Sequence, residues 1–354
     1  MLKLKLIISP GIIKNKLVGL IVLSILAFQI PSYPQEEKTF KVWLDELKAE
    51  AESRGFSKES VKSAFSEIKA PETRIIERDQ NQPEVVESYA GYLKRRVTSW
   101  RKINGKKLLK KHEALLEKIA KEYGVRPRFI VAIWGMETNY GTIPLKESIF
   151  NVLATLAYDK RRADYFRAQF FNALTILDKG FAPYEKMKSS WAGAMGQCQF
   201  MPENFLKYAV DYDKDGNRDI WDTEADVFAS IANYLNSFGW KDHETWGRPV
   251  ILPDIPREDL FVRRPDDLPI EEQCERFEDL KVWRDLQDWQ ALGVRRMTGL
   301  KLPVRSIPAT LIVGDPGDKR GYIIYRDFCT IMRFNPAFKY AIAIGLLADH
   351  FREY

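Results

Sequence analysis

Histidine is scarce in this sequence: His112, His243 and His350 are the three in 354 residues. The H-E-x-x-H zinc motif is absent, as are G-x-S-x-G, G-x-G-x-x-G and G-x-x-x-x-G-K-[ST], which removes zinc hydrolysis, Ser-His hydrolysis and nucleotide chemistry from the legible options. Cysteine is equally rare. Cys198, Cys274 and Cys329 stand 76 and 55 residues apart, a spacing that offers neither a metal-ligand set nor a disulfide framework, and an odd count leaves one thiol unpaired in a monomer. Acidic residues are missing before Tyr33, where Lys3, Lys5, Lys14 and Lys16 supply four of the six excess positive charges. Only two remain for the rest of the chain, so bulk charge gives no reason to expect a nucleic-acid partner. The apolar run Leu17–Ile30 has fourteen residues, short of the ~20 a membrane-spanning helix needs. Lysines, then a run of this length, then Pro31 and Pro34, describe an export signal over residues 1–33. It is either cleaved or kept as an inner-membrane anchor, it shows no A-x-A cleavage site, and with no cysteine nearby it offers no lipid attachment. The expected location is the periplasm or cell envelope.

What is present is a packed chain, 45% hydrophobic and 29% charged, long enough for two or three structural units. Phe40, Trp43, Leu44 and Leu47 form an i, i+3, i+4, i+7 stripe, so 40 to about 70 reads as helical, with Pro71 as the break. A long basic helical stretch is expected from Glu84 through Lys121, its lysine pairs lying on a solvated face. Helical patterns continue from Gly124 to Gly239. Beta structure is expected from Arg248, in Pro249–Pro253 and Leu260–Arg263, then in Thr310–Val313, Tyr322–Tyr325 and Thr330–Arg333, with a helix at Val282–Leu292 and a closing helix at Phe338–Phe351.

Three segments carry chemistry. In Arg126–Gly141, Pro127 suits a first helical position and Asn139 and Gly141 suit a helix end. Glu137 follows Trp134, Ile133 and Ile130 by three, four and seven, which puts a carboxyl on an apolar face near the helix carboxyl end. Desolvation and the helix dipole would both raise its pKa, as a general acid requires. On these residues alone it is equally an acid that escapes to solvent or pairs with an arginine. Ser189–Pro202 packs small residues around two serines and two amides, so that Gln197 or Gln199 could meet sugar hydroxyls, or the run could be a tight packing turn. Asp211–Asp222 places oxygen ligands Asp211, Asp213, Asp215 and Asp222 at loop positions 1, 3, 5 and 12, with Gly216 at the sharp turn and Asn217 offering its carbonyl. This is an EF-hand-like calcium loop. Asp at position 12 and Arg218 at position 8 depart from paired EF-hands and favour a lone structural site.

Together the segments resemble the membrane-bound lytic transglycosylase B family of peptidoglycan-cleaving enzymes. The likeness runs from about Pro83 to the carboxyl terminus and is densest in Gly135–Gly141, Ala154–Ala157, Arg161–Phe166, Ala192–Gly196, Gln199–Pro202 and Ala232–Tyr234. It implies an α+β, mainly α fold: a helical domain (34–110), a lysozyme-like core (111–247) holding the loop, a small inserted antiparallel β domain (248–330) and a returning segment (331–354). It also implies Glu137 as the catalytic acid, with Ser190, Gln199, Tyr234, Asn335 and, more weakly, Tyr92 lining the glycan groove. Arg161 and Arg162 would face the carboxylates of the peptide stem. Phe334 stands where relatives can carry tyrosine, so a phenolic hydroxyl is lost there. The implied partner is the peptidoglycan strand, met by a monomer without an organic cofactor, alongside cell-wall synthesis or hydrolysis enzymes. Two alternatives remain: a muramidase-type hydrolase using a second acid such as Asp159 or Asp164, and a non-catalytic peptidoglycan-binding protein.

Overall fold

The computed structural model describes residues 39–81, 87–241 and 244–352; the expected export segment, the Pro83 boundary and His243 lie outside them. Helices α1 (Phe40–Ser53), α2 (Lys58–Phe65) and α3 (Thr73–Gln80) open the fold. Thr39 and Ser57 cap the first two with their hydroxyls. Among the described residues the expected long basic helix is instead three, α4 (Tyr89–Arg96), α5 (Ser99–Lys111) and α6 (Glu113–Tyr123). The reason for the first break is local: the Thr98 hydroxyl accepts from Arg101 N at 3.2 Å and starts a new helix.

Helix α7 (Pro127–Thr138) is the axis of the helical body. Phe129, Ile130, Val131, Ala132 and Ile133 are all fully buried, which is possible only for a helix wrapped on every side. Its wrapping comes from α5, α6, α11 (Glu224–Ser237) and α15 (Phe338–His350). Alongside lie α8 (Ile149–Tyr158), packed on α9 (Ala163–Asp178), and the short α10 (Pro202–Tyr208). Two two-residue strands, β1 (Glu147–Ser148) and β2 (Lys188–Ser189), pair antiparallel.

From residue 247 a five-stranded antiparallel sheet forms, with strands β3 (Gly247–Ile251), β4 (Arg284–Asp285), β5 (Arg295–Arg296), β6 (Pro308–Val313) and β7 (Arg320–Ile324) in the order β4-β6-β7-β3-β5. Its two edges are only two residues long, which leaves little strand edge exposed for unwanted pairing. Ile312 faces Tyr322 and Leu311 faces Ile323 across the β6–β7 pair. The sheet has a separate apolar core around Val250, Leu286, Trp289, Val294, Leu311 and Ile323.

Several sequence expectations need correction here. Leu260–Arg263 is not a strand: Arg257–Leu260 is a helical turn, α12, entered from Pro256 and acidic in its first turn. The helix expected from Val282 begins only at Leu286, because Arg284 and Asp285 pair with β6 and the Asp285 side chain then caps α13 (Leu286–Ala291). Thr330–Arg333 belongs to the end of α14 (Arg326–Ile331) and the turn after it. There Phe328, Ile331 and Met332 share one buried helical face. Cys274 and Cys329 form a disulfide across 55 residues and Cys198 is the buried free thiol, so two distant cysteines pair although their spacing carried no sign of it.

The first turn of α14 also carries Asp327, wholly buried, its Oδ1 accepting from Lys241 N at 3.0 Å and its Oδ2 without a hydrogen-bond partner. Burial, reinforced by the Glu244 charge and opposed by the Lys241 amide and by Arg326 and Arg126, raises its pKa to about 7. Between its ordinary value and about 7 the unfolded chain releases a proton that the folded chain retains, so the folded state loses stability as pH rises through this window. Asp327→Asn is expected to flatten the fall in melting temperature between pH 4 and pH 8. An unchanged slope would show that the carboxyl ionises freely in the fold.

Candidate functional site

Glu137 occupies the last turn of α7, half-buried. The backbone turns away immediately after it: Asn139, Tyr140 and Gly141 take φ of 49°, 63° and 75°, three left-handed residues in succession. Two arginines close this helix end. Arg101, 7% exposed, donates from Nε to Gly135 O at 3.0 Å and to Asn139 Oδ1 at 2.8 Å, and Arg96 donates to Met136 O at 3.2 Å. Cations at this end complement the negative pole of the helix and satisfy carbonyls that have no partner within it. Burial, with Arg96 adding repulsion, pulls the Arg101 guanidinium down to about 10, so it stays charged at neutral pH.

The hydroxyl of Tyr340, on α15, donates to Glu137 Oε1. Burial first, then the Glu137 carboxylate, hold this phenol far above its ordinary range, so it remains a donor. Nothing in the sequence singled it out, since one tyrosine in an apolar helix reads as core. Tyr92, expected to line the groove, is fully buried, close enough to Tyr340 to affect its ionisation, and does not meet solvent.

The 189–202 segment folds back on itself around the isolated bridges Ser189–Met195 and Met195–Phe200. Of its two amides, Gln197 is structural. Its Oε1 accepts from Trp134 Nε1 at 2.7 Å and its Nε2 donates to Trp221 O at 2.7 Å. Its backbone carbonyl accepts the Thr138 hydroxyl at 2.9 Å and its amide donates to Ile220 O at 2.7 Å. One residue thus joins the Glu137 helix to the end of the acidic loop, so of the two amides Gln197 takes the packing role that the sequence left open. Gln199, at φ 52°, donates to Gly196 O at 3.1 Å, and Ser190 Oγ accepts from Ala194 N at 3.3 Å. Cys198 lies between them fully buried, its thiol pushed up mainly by that burial and partly by the Glu137 charge, so it is no nucleophile.

Phe200 carries this loop onto Tyr234 and Phe334, whose rings lie 4.4 Å apart, and the Tyr234 hydroxyl donates to Arg333 O at 2.6 Å. Asn335, partly exposed, follows directly. The loop that carries Ser190 and Gln199 thus packs through Phe200 onto Tyr234 and Phe334, next to Asn335. Arg161 and Arg162 are held elsewhere, both on Asp79 of α3, which is 4% exposed.

The acidic loop turns at Lys214 and Gly216, φ 64° and 95°. Its carboxylate cluster differs from the expected one. Asp211, Asp213 and Asp226 bring oxygens within 4.8 Å of one another. Asp222 points away to Lys186 at 2.7 Å, because Asp219 Oδ1 accepts the amides of Trp221 and Asp222 and closes the turn before position 12. Asp226 comes from the first turn of α11, fully buried, and accepts from Tyr212 N and Asp219 N, each at 2.7 Å. Asp215 accepts from Asn217 N at 2.7 Å, a bond that closes the turn. Asp211 Oδ1 is buried without a hydrogen-bond partner. An all-oxygen set with an orphaned buried carboxylate oxygen fits a hard divalent cation.

Gly135 faces the Tyr140 ring, and a Cβ there would lie 2.4 Å from Cε1. Gly135→Ala is expected to destabilise by ~1–3 kcal/mol through overpacking, read as a lowered melting temperature. A melting curve equal to that of the parent would mean the Tyr140 ring moves aside freely.

A family description, Transglycosylase SLT domain, matches residues 39–349. Membrane-bound lytic murein transglycosylase B of Escherichia coli is 37% identical over 150 residues, a stretch spanning 42% of this chain and 41% of that protein. Among solved structures, SltB3 from Pseudomonas aeruginosa in complex with NAG-anhNAM-pentapeptide superposes with a TM-score of 0.77 at 35% identity, covering 89% of this chain and 80% of that one. Escherichia coli Slt35 in complex with calcium superposes with a TM-score of 0.69 at 25% identity, over 89% and 93% of the two chains. The fold is thus α+β, mainly α, shared with lysozyme-like lytic transglycosylases.

Proposed function

The chain belongs to the transglycosylase SLT domain family, and from that premise we propose that it cleaves the MurNAc-GlcNAc β-1,4 bond of peptidoglycan with Glu137 as acid and then base. The observation that carries this is one carboxyl, at the end of a buried helix, oriented by a buried phenol through Oε1. As a carboxylic acid Glu137 protonates the leaving glycosidic oxygen. As a carboxylate it then takes the proton of the C6 hydroxyl of the same MurNAc, whose oxygen closes onto C1. The bond to GlcNAc breaks, the 1,6-anhydro bridge forms, and no water is consumed. The nucleophile is already attached to the reacting sugar, which removes part of the entropic barrier of a bimolecular attack. Ser190, Gln199, Tyr234 and Asn335 position the glycan, with Tyr92 buried near Tyr340, and Arg161 and Arg162 face the stem peptide from their anchorage on Asp79.

A buried phenol holds Glu137 at the end of the α7 helix, which favours this reading over hydrolysis by two carboxylates. Asp159 Oδ1 accepts the Arg161 amide at 3.2 Å and Asp164 lies on an exposed helix start. A reducing-end assay on soluble glycan fragments tests the point: digestion should release no new reducing ends, and a stoichiometric increase would identify a hydrolase.

The Slt35 complex with calcium supports the same ion here, held by Asp211, Asp213 and Asp226 as a structural group. Asp226 and Tyr234 share α11, so the ion would anchor the helix that carries a groove residue. Action on peptidoglycan sets the location in the periplasm or cell envelope; among the described residues no helix is long and apolar enough to cross a membrane.

A further inference from the structure

At the opposite end of α7 from Glu137 lies a cavity of about 910 Å³ between the helical body and the sheet. Four arginines line it: Arg126 just before α7, Arg248 on β3, Arg305 in the exposed loop before β6, and Arg352 after α15. Eleven residues at a rise of 1.5 Å put its Arg126 wall roughly 16 Å along the helix from Glu137, which does not line it. Three of the guanidinium groups are braced. Arg126 donates to Glu244 O at 2.8 Å and Arg248 to the Tyr325 hydroxyl at 3.1 Å, while Arg352 donates to Thr245 Oγ1 at 3.3 Å and pairs with Asp349 at 2.9 Å. Each carries five N–H donors in a planar fork suited to carboxylate, and the single bond from Arg248 Nε orients its fork while leaving further donors for a ligand.

We infer that this cavity binds the carboxylate-bearing peptide stem of a second peptidoglycan strand, an inference that rests on the proposed function above. Three features favour a peptide over a phosphate group or a lipid head. The volume far exceeds a phosphate ion and holds several residues. Leu286, Pro303 and Ile307 give part of the wall an apolar surface that fits alanyl methyl groups. Glu244, the one acid among the four arginines of the lining, lies 3.5 Å from Lys241 Nζ and adds a negative charge that disfavours a purely anionic ligand. With the catalytic acid at one end of α7 and a stem-peptide site at the other, the enzyme would hold one strand while cutting its neighbour.

The test is a calorimetric titration of the full chain carrying Glu137→Gln with the free tetrapeptide stem. The same peptide with its carboxylates amidated, inorganic phosphate and phosphatidylglycerol vesicles serve as comparison arms. Adding Arg305→Glu and Arg352→Glu should weaken stem binding at least tenfold, and amidation should weaken it similarly. With Glu137 intact, the double arginine variant should cleave short soluble glycans within twofold of the parent. Stem binding unchanged by the arginine substitutions or by amidation overturns the inference. So does arginine-dependent binding of phosphate or vesicles at an affinity equal to that of the stem. If the parent fails to cleave glycan at all, the proposed function fails, and the titration still reads the cavity independently.

Discussion

Replacing Glu137 by glutamine is expected to lower turnover of purified sacculi by about 10³-fold or more, since general acid-base assistance alone contributes 10²–10⁴-fold and here one group gives the proton and then takes the next. The amide keeps the shape and still accepts from Tyr340, so melting and glycan binding should stay close to those of the parent. Activity within tenfold of the parent would remove Glu137 from the chemistry. A variant that simply unfolds would be recognised from its melting curve and replaced by Glu137→Asp, which keeps the charge and withdraws it by one methylene.

Chelation of divalent cations should lower the melting temperature by several degrees. An ion bound by the folded loop and not by the unfolded chain stabilises by about 2.7 kcal/mol at a hundredfold excess over Kd. Asp226 states the local problem: burial and the neighbouring Asp213 and Asp211 charges raise its carboxyl above the ordinary value against two amide hydrogen bonds, and a cation relieves that repulsion. Asp211→Ala and Asp226→Asn should each melt at a temperature that chelator no longer changes. The effect on turnover should follow stability, through Gln197, which ties Ile220 and Trp221 at the loop's end to Trp134 and Thr138 of the catalytic helix. A melting curve indifferent to chelator would end the structural-ion reading.

The place of Glu137 was legible because it is set locally: an acid at the right offset on an apolar helical stripe, followed by residues that end helices. Tyr340, 203 positions away, was not, because only the packing of α15 against α7 makes that hydroxyl part of the site. The acidic loop shows the same limit on a smaller scale. Asp211 and Asp213 follow from spacing alone, but the turn closed by Asp219 moves Asp222 out, and Asp226 enters from the next helix. Gln197 and Gln199 looked equivalent in sequence; in the fold Gln197 bonds the Trp134 indole N–H and Trp221 O, whereas Gln199, in a left-handed turn, bonds its own loop at Gly196 O. The arginines Arg96 and Arg101 were visible only as part of a basic stretch, whereas the fold uses them to close the end of α7.

The measurement closest to the central claim is mass spectrometry of the fragments released from purified sacculi digested in ¹⁸O-labelled water. If Glu137 drives the C6 hydroxyl onto C1, the fragments end in 1,6-anhydroMurNAc and carry no heavy oxygen. Reducing MurNAc ends labelled with ¹⁸O would show that water attacks C1, and would contradict the account.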